Sequence, residues 1–406
     1  MTAGMYLHIP FCKSRCSYCD FATDVYKNNE VVERYVDALC SEIAAFEAPS
    51  LVGTACVSER LVVTDRTLKT KSFPPPYGGG SDPVDTIYFG GGTPSLLKPN
   101  QLERILDVVC DKFPVSSDAE ITMEMNPATV TPETLATYRS LGVNRASFGV
   151  QTFDDRSLKL LARGHDANDA RNTFALLRDT GFDNISFDLI AGLPGQTLTD
   201  WEKNLDEAIS LSPEHMSLYL LEIHEGTPLA EQIRSDRQPK PDEELAAEMY
   251  ELMLDRLATA GYMQYEISNF SRPGFESRHN SKYWRLEPVF GFGVSAHSFD
   301  GRQRYANERD AAKYVESIEN SWTAIVETAE LSEKQLSGEF AFLNLRLVKG
   351  LNLGQYREAF GIDIENQFAD ELEPLREAGL ILVDNGVLRL TRKGMLYSND
   401  VFSIFV

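Results

Sequence analysis

The chain has 406 residues, 43% of them hydrophobic and 25% charged, and its formal net charge is −22 at pH 7. This composition is typical of a globular protein that is large enough to bury its own cores without disulfide bridges. The sequence contains no run of about 18 apolar residues that would span a membrane. Its start, MTAGMYLHIPF, lacks the basic residues and long apolar stretch of a signal peptide. We therefore expect a cytoplasmic protein with reduced cysteines and, given its negative charge, no nucleic acid as a partner.

Short apolar segments alternate with segments of helical periodicity along the first half of the chain. Strands are predicted at residues 5–9, 85–89, 120–125, 145–150, 185–190 and 216–221, and helices at 30–47, 100–110, 132–141 and 200–210. This alternation predicts βα units and a parallel sheet. Because polar motifs recur just after strand ends, the predicted fold class is α/β, with a partial, open six-fold βα barrel rather than a doubly wound sheet.

The predicted barrel occupies residues 1–230. Near residues 48–84 it is interrupted by a stretch containing FPPPYGGGSDP, which cannot continue a helix or a central strand and which we interpret as a surface insertion. A connecting extension is predicted over residues 231–310, and a small C-terminal α+β domain over residues 311–406.

The C-terminal region has its own pattern from about Leu331 onward. Three helical segments precede LILVDNGVLRL, which predicts a hairpin that turns at residues 384–386. This order resembles a winged helix, a fold that often reads nucleic acid, but acidic residues outnumber basic ones here. We therefore expect a lid or docking domain over the barrel mouth.

Three of the six cysteines are clustered in HIPFCKSRCSYCDF, residues 8–21, with the spacing C-x3-C-x2-C. Such cysteines are small buried hydrophobes, zinc ligands or ligands of an iron–sulfur cluster. A structural zinc site usually takes four ligands in two separated pairs, whereas iron–sulfur clusters are bound by cysteine thiolates. The spacing favours a cluster in which three thiolates leave one iron open to a small molecule. The clustered residues are Cys12, Cys16 and Cys19, and the isolated ones, expected to be structural, are Cys40, Cys56 and Cys110.

Further polar motifs follow the predicted strands. GGGTPS, residues 90–95, has consecutive glycines that let a ligand approach the backbone and that leave N–H groups free. It is neither a Walker loop nor a dinucleotide fingerprint. Single polar residues lie at or after later strand ends, namely Glu124 in EMNP, Gln151 in FGVQ, Arg163 in ARGH and Asp188 in FDLIAGLPGQ. Their convergence on one barrel mouth beside the cysteines predicts a cofactor pocket.

Together these motifs resemble the radical S-adenosylmethionine (SAM) superfamily, in its oxygen-independent coproporphyrinogen III oxidase-like branch. The resemblance covers roughly residues 5 to 300 and rests on YLHIPFCKSRCSYCDF, YFGGGTPS, EMNP, FGVQTFDDRSLKLLARGH and FDLIAGLPGQ. It implies a 4Fe–4S cluster, SAM at its open iron, and an electron donor. By this resemblance the cluster ligands are Cys12, Cys16 and Cys19, the SAM pocket contains Tyr6, Gly91, Gly92, Thr93 and Glu124, and Gln151, Arg163 and Asp188 match positions that bind a second SAM in the coproporphyrinogen enzyme.

Within this branch the sequence most resembles the HemW family of haem chaperones. RHNSKYW contains the pattern H-N-x-x-Y-W, although spacing alone also fits a packed aromatic turn. A histidine can ligate haem iron and aromatic rings can pack on a porphyrin. The family context favours His279 as the haem ligand, with His297 as the second candidate, and we expect the His279 segment to lie next to the barrel mouth.

Three functions therefore remain open at this level. A haem carrier that delivers haem to an acceptor protein is favoured. A coproporphyrinogen III oxidase is less favoured, because those enzymes carry an N-terminal arm and a further cysteine where Phe21 stands here. A radical SAM methyltransferase of the same branch shares the barrel motifs, so only the H-N-x-x-Y-W stretch argues against it. Whether SAM is consumed in a reaction is left open by the sequence.

Overall fold

The computed structural model describes residues 2–25, 28–46 and 83–406. The predicted insertion at residues 48–84 therefore lies, apart from its last two residues, outside the described residues, as does Cys56. Within these ranges, helices that combine enough length with enough apolar character to cross a bilayer are absent.

Strands and helices alternate from the N terminus to residue 220, in the order that periodicity predicts. The elements are β1 (Ala3–Ile9), β2 (Phe11–Cys12), β3 (Asp24–Val25), α1 (Asn29–Ala45), β4 (Val84–Gly91), α2 (Pro99–Lys112), β5 (Val115–Met125), α3 (Pro132–Ser140), β6 (Arg145–Gln151), α4 (Asp155–Leu160), α5 (Ala167–Asp179), β7 (Ile185–Ala191), α6 (Leu198–Leu211) and β8 (His215–Leu220). The predicted strands are β1 and β4 to β8, and the predicted helices are α1, α2, α3 and α6. Helices α4 and α5 were missed, although the buried Ala170, Phe174 and Leu177 of α5 have helical spacing.

Further elements extend the barrel to residue 330. They are α7 (Pro228–Arg234), α8 (Glu243–Thr259), β9 (Met263–Glu266), β10 (Asn269–Ser271), α9 (Arg278–Trp284), β11 (Val289–Phe292), β12 (His297–Phe299), β13 (Gln303–Asn307), α10 (Ala311–Ser321) and β14 (Ile325–Glu330). Helix α10 contributes Tyr314, Val315 and Ile318 to the main core, and β14 pairs with β13. Residues 311–330 thus pack with the large sheet.

The remaining residues form a separate small core. Their elements are α11 (Glu333–Arg346), β15 (Leu351–Asn352), α12 (Leu353–Phe360), α13 (Ile364–Gln367), α14 (Ala369–Glu377), β16 (Ile381–Asp384), β17 (Val387–Leu390), α15 (Arg392–Leu396) and α16 (Ser398–Phe402). The hairpin of β16 and β17 turns where it was predicted, through Asn385 and Gly386, which have φ of 49° and 73°. Two consecutive positive φ values are the geometry that an Asn-Gly turn favours.

In the described part of the chain, twelve strands form one sheet in the order β14-β13-β12-β11-β1-β4-β5-β6-β7-β8-β10-β9. Strands β1 and β4 to β8 are parallel neighbours, and β11 joins β1 in parallel. Antiparallel strands extend both ends. Because β14 and β9 are edge strands that do not pair with each other, the barrel stays open, as predicted.

The two faces of the parallel sheet differ in chemistry. On β1, Met5 and Leu7 belong to the apolar core, whereas Tyr6 and His8 point to the opposite face, because successive side chains of a strand alternate. The apolar outer face is covered by helices, as in other βα proteins. The inner face carries polar side chains on neighbouring strands, among them Tyr88, Glu124, Arg145, Ser147 and Asp188.

The C-terminal domain contacts the open side of the barrel. In the middle of α11, Glu339 pairs with Arg304 of β13 (Oε2–Nη2 2.6 Å). At its C-terminal end, Arg346 pairs with Glu266 of β9 (Nη2–Oε1 2.7 Å). Because β13 and β9 lie near opposite edges of the sheet, α11 spans the gap between them. The expectation of a lid over the mouth is corrected by these contacts: the domain flanks the barrel, where it pairs the fully buried carboxylate of Glu266.

Candidate functional site

The cysteine loop follows β1 at the carboxyl end of the parallel strands, where such barrels place their sites. Ser17 fixes the middle of the loop. Its N–H donates to the Leu161 carbonyl (2.9 Å) and its Oγ donates to the Leu160 carbonyl (2.9 Å). Its own carbonyl accepts from the N–H of Leu229 (2.8 Å). The loop is thus held by the chain after α4 and by α7, both on the far side of the barrel mouth.

Cys12, Cys16 and Cys19 are half-buried free thiols. Burial raises the pKa of the Cys12 and Cys19 thiols, so a metal has to displace their protons on binding. Among the residues that the structure describes, no three His, Cys, Asp or Glu side chains converge on a single metal ion. Three thiols spread around one loop fit an iron–sulfur cluster, in which each thiolate binds a different iron.

A hydrogen-bonded path connects two of these cysteines. Thr93 Oγ1 donates to Cys12 Sγ (3.6 Å) and accepts from the Asn126 amide (2.6 Å). Arg163 donates to Asn126 Oδ1 (2.8 Å) and to Cys16 Sγ (3.4 Å). Donors of this kind stabilise the thiolate form of cysteine and hold the loop in one position. The structure therefore brings Thr93 and Arg163 together through Asn126, beside Cys12 and Cys16.

The backbone of Gly91 and Gly92 is closely approached, as expected, but by other segments of the same chain. Gly91 has φ of +108°, and a Cβ there would lie 2.7 Å from the His8 ring. A Cβ at Gly92 would lie 2.7 Å from the Pro10 carbonyl. Glycine is needed at both positions because β1 and the cysteine loop pack directly on this backbone. The N–H of Gly91 donates to Glu124 Oε2 (3.2 Å), so the same turn also fixes the buried carboxylate.

Glu124 and Tyr6 lie together on the inner face below the cysteines. Glu124 Oε1 accepts from the Tyr88 hydroxyl (2.7 Å), and the Tyr6 ring stacks on Tyr88 with centroids 6.2 Å apart. Burial raises the pKa of Glu124 to about 7 and that of Asp188 to about 6. Gln151 ends β6 with φ of 68°, beside a register shift that turns its backbone toward the mouth. Carboxylates of this kind ionise most readily when a cation binds beside them.

The barrel encloses an accessible chamber. Tyr219 and Tyr283 are 42% and 40% exposed, yet burial raises the pKa of both phenols well above the ordinary range. When a side chain is accessible to solvent although protein surrounds it, it faces a concave space. Tyr6, Glu124 and Asp188 are likewise half-buried on the inner face. Aromatic rings and carboxylates therefore line the chamber, a surface that suits a flat and partly charged ligand.

The RHNSKYW segment forms helix α9, which closes the amino-terminal end of the barrel. Glu120 accepts the backbone N–H groups of Arg278 (3.2 Å) and His279 (3.0 Å), so a carboxylate lies at the start of the helix. The buried Lys282 pairs with Asp85 (Nζ–Oδ1 2.9 Å), the second residue of β4. The motif thus forms the floor of the chamber. The expectation that it lies next to the barrel mouth is wrong, because α9 packs on the starts of β4 and β1.

His279 is almost fully buried in this floor. Its Nδ1 is 2.9 Å from Thr86 Oγ1 and its Nε2 is 3.1 Å from the Tyr283 hydroxyl. Its ring stacks on Tyr88 with centroids 5.0 Å apart. Burial lowers the pKa of His279 to about 3, so its imidazole is neutral at physiological pH. His297, the second candidate, is exposed at the start of β12.

The candidate residues therefore fall into a mouth group, a middle group and a floor. The mouth holds Cys12, Cys16, Cys19, Gly92, Thr93, Gln151 and Arg163, the middle holds Tyr6, Gly91, Glu124 and Asp188, and the floor holds His279. Sequence reasoning missed Asn126, Tyr88 and Arg145. Asn126 directly follows a strand, as the chosen residues do. The alternation of Arg145, Ser147 and Gly149 with apolar residues in RASFGV also marks an inward polar face.

The chain is similar to known proteins over nearly its whole length. A family model described as the radical SAM superfamily matches residues 79–208, and one described as the HemN C-terminal domain matches residues 331–397. Heme chaperone HemW of Bacillus subtilis (strain 168) is 35% identical over 99% of this chain and 98% of its own, and that of Escherichia coli (strain K12) is 30% identical over 99% and 98%. A Bos taurus protein, radical S-adenosyl methionine domain-containing protein 1, mitochondrial, is 34% identical over 97% and 85%.

Among solved structures, coproporphyrinogen III oxidase (HemN) from Escherichia coli, described as a radical SAM enzyme, superposes with a TM-score of 0.81. The match covers 100% of this chain and 90% of that one, at 24% sequence identity. At this identity the likeness concerns the fold, including the partial barrel and its C-terminal domain.

Proposed function

The chain belongs to the HemW family of the radical SAM superfamily, and from that membership we propose that it is a haem chaperone, which binds haem and transfers it to acceptor proteins. The observation that supports this most is the chamber with a neutral histidine on its floor. A carrier has to shield haem from water and still release it. An aromatic chamber with one accessible end meets both requirements.

We propose that Cys12, Cys16 and Cys19 hold a 4Fe–4S cluster with SAM beside it, and when bound these groups supply one-electron chemistry. The chain's own residues orient the ligands. Thr93 and Arg163 hold Cys12 and Cys16 by hydrogen bonds. The remaining positions proposed for SAM are Tyr6, Gly91, Gly92 and Glu124, with Gln151 and Asp188, like Arg163, at positions of a second SAM.

For haem, the proposed axial ligand is His279. A metal-bound histidine is neutral and has its other ring nitrogen fixed by a hydrogen bond. His279 meets both conditions, because Thr86 holds Nδ1 and burial keeps the ring uncharged. Its Nε2 faces the hydroxyl of Tyr283, whose side chain is 40% exposed. Rotation of the Tyr283 side chain would free Nε2 for iron and leave the Thr86 contact intact.

An oxidase function has less support. Phe21, which stands where the oxidases carry a further cysteine, is 67% exposed beside the cysteine loop and contributes no thiol. We therefore propose that coproporphyrinogen III is not decarboxylated by this protein.

The test uses the full-length chain reconstituted anaerobically. Titration with haem is expected to give about one haem per chain, as for a single axial-ligand site. His279→Ala should weaken binding and shift the Soret band, whereas His297→Ala, the matched control, should leave both unchanged. Coproporphyrinogen III with SAM and a reductant should yield no decarboxylated product. Product at a catalytic rate, or no haem binding by the wild type, would overturn the chaperone proposal.

A further inference from the structure

Arg145 is a buried cation that lacks a counter-ion. It begins β6 and is 1% exposed. Its Nε has no hydrogen-bond partner, and in the described part of the chain no carboxylate lies within ion-pair distance of its guanidinium. An isolated charge inside a protein is strongly destabilising unless something pairs with it. A polar group of this kind, left unsatisfied in a folded chain, points to a partner from outside the chain.

The direction of Arg145 follows from strand alternation. The next residues of β6, Ala146 and Phe148, belong to the apolar core between sheet and helices. Arg145 therefore points to the inner face, with Ser147 above it. In the register of the sheet it lies beside Thr122 of β5, two residues before Glu124. This position is near the floor of the chamber, on the level of the residues that surround His279.

The two histidines near Arg145 are already engaged. His215 has Nδ1 2.8 Å from Ser186 Oγ and Nε2 2.7 Å from the Tyr265 hydroxyl, and both nitrogens of His279 are hydrogen-bonded as well. Both rings are neutral, because burial lowers the pKa of each. At His215 the charge of Arg145 adds to this effect, and at His279 the charges of Lys282 and then Arg145 do. They supply no negative charge to the guanidinium.

The two carboxylates of the chamber do not neutralise Arg145 either. Burial raises the pKa of Glu124 to about 7 and that of Asp188 to about 6, while Arg145 lowers both. Arg145 is therefore within electrostatic range of both groups but not in contact with them. Near neutral pH they are partly protonated, so neither gives a full counter-charge. A further carboxylate in the described floor, Glu120, is engaged by the backbone N–H groups that begin α9 and forms no ion pair with Arg145. The chamber floor thus combines the unpaired positive charge of Arg145 with a neutral histidine.

We infer that Arg145 binds a carboxylate of the ligand that fills the chamber, and that this carboxylate is a propionate of haem. The inference rests on the proposed function for its ligand. A guanidinium is the side chain best matched to a carboxylate, since its planar donors form two parallel hydrogen bonds. Haem carries its propionates on the edge of a flat ring. When haem is bound, His279 would hold its iron and Arg145 a propionate. The two side chains are close enough for this, since Arg145 lowers the pKa of His279. SAM also carries a carboxylate, on its methionine part, and is therefore the other candidate ligand for Arg145.

This contact is tested by changing the ligand and the protein separately and together, as in a double-mutant cycle. Haem and haem dimethyl ester, which lacks free carboxylates, are titrated into the wild type and Arg145→Met. In the wild type, esterification should weaken binding about tenfold or more, the value of a hydrogen bond to a charged group. In Arg145→Met, the two haems should bind within about twofold of each other. Equal sensitivity to esterification in both proteins would overturn the propionate assignment.

A second arm uses SAM and decarboxylated SAM with the same two proteins. The expected result is that Arg145→Met leaves the preference for SAM unchanged. Loss of that preference, with ester discrimination kept, would reject propionate and assign Arg145 to the SAM carboxylate. This arm needs no haem, so it tests Arg145 even if the protein proves not to bind haem.

Stability of the ligand-free protein separates a binding role from a structural one. Arg145→Met removes an unpaired buried charge, so its Tm should rise by about 2 °C. The matched control is Arg178→Met. Arg178 is paired with Glu214 (Nη2–Oε1 2.8 Å), so its loss should lower Tm. A fall in Tm for Arg145→Met equal to that of the control, with unchanged ligand discrimination, would show that Arg145 is structural and would overturn the inference.

Discussion

At the residue scale, the charge of Glu124 links the folding of the protein to pH. Its pKa in the folded chain, about 7, lies above the ordinary value of 4.5, because burial penalises the charged form. The folded state therefore holds this proton more tightly than the unfolded state does. The stability that the group contributes is full below pH 4.5 and is lost as the pH rises to about 7.

We therefore expect Glu124→Gln to remove part of the pH dependence of stability. Between pH 4.5 and about 7, the unfolding free energy of the variant should fall less than that of the wild type, by about 2 kcal/mol. SAM is a cation, so its affinity for the wild type should rise as Glu124 ionises, and this rise should be absent from the variant. Denaturant unfolding and SAM titration at several pH values measure the two effects.

Glu42 offers a matched control for this prediction. Burial also raises its pKa to about 7, but its carboxylate binds Tyr314 (2.6 Å) and Asn307 (2.6 Å) under α1, outside the chamber. Glu42→Gln should change the pH dependence of stability and leave that of SAM binding intact. If both variants altered SAM binding alike, the Glu124 effect would have to be attributed to folding.

Tyr283 gives a second prediction at this scale. Its hydroxyl is 3.1 Å from His279 Nε2 and so competes with haem iron for that nitrogen. Tyr283→Phe removes the competitor and keeps the ring, so haem affinity should rise about three- to tenfold, the value of one neutral hydrogen bond. Thr86→Val, which removes the hydroxyl that holds Nδ1, should instead weaken haem binding. Haem titration followed by the Soret band measures both, and lower affinity in Tyr283→Phe would contradict the proposed ligand.

At the element scale, α11 connects regions near both edges of the open sheet by two ion pairs of unequal burial. Glu266 is fully buried, and besides Arg346 it accepts hydrogen bonds from the Ser268 N–H (2.9 Å) and the Asn269 amide (2.7 Å). The pair of Arg304 and Glu339, in the middle of α11, is more exposed. The two ion pairs of the same helix therefore differ in what they contribute to stability.

Arg346→Met is expected to lower the unfolding free energy by about 3 kcal/mol, because it leaves a buried carboxylate without its cation. Arg304→Met, which breaks the pair in the middle of α11, should cost no more than about 1 kcal/mol, as is usual for solvent-exposed pairs. Denaturant unfolding of both variants measures the difference. Equal losses of unfolding free energy in the two variants would mean that the burial of Glu266 does not determine how strongly its ion pair attaches the C-terminal domain.

The sequence predicted which segments form strands and helices better than it predicted where these elements lie in the fold. Strands β1 and β4 to β8 carry continuous apolar patterns, so they were identified, as was the Asn-Gly hairpin at residues 384–386. Strand β14 has every side chain exposed, so hydrophobic periodicity could not show that it extends the sheet. The place of α9 was missed for a different reason. Contacts such as that of Lys282 with Asp85 join residues far apart in sequence, and nothing local encodes them.

At the scale of the whole molecule, the two sets of ligand-binding candidates occupy opposite ends of one barrel. Cys12 and its partners lie where the parallel strands end, and His279 lies where they begin. Changes at one end should therefore leave the other end intact, since distant sites without shared partners behave additively.

We expect Cys12→Ala, Cys16→Ala and Cys19→Ala each to abolish the binding of about four irons per chain and to retain haem binding. His279→Ala should do the reverse. Cys40→Ser and Cys110→Ser, at isolated cysteines, should keep both ligands. Iron analysis and haem titration of the same preparations measure the separation. Loss of both ligands from a folded single variant would show that the two ends are coupled.

The floor formed by α9 also bears on how a ligand would enter and leave the barrel. In the described part of the chain, α9 lies across one end and α11 along the open side, so we expect ligands to enter and leave past the cysteine loop. A group bound at that loop would then lie on the exit route of haem. We expect a reductant that reaches the cysteines and a protein that receives haem to approach this same face of the molecule, and therefore to bind one after the other.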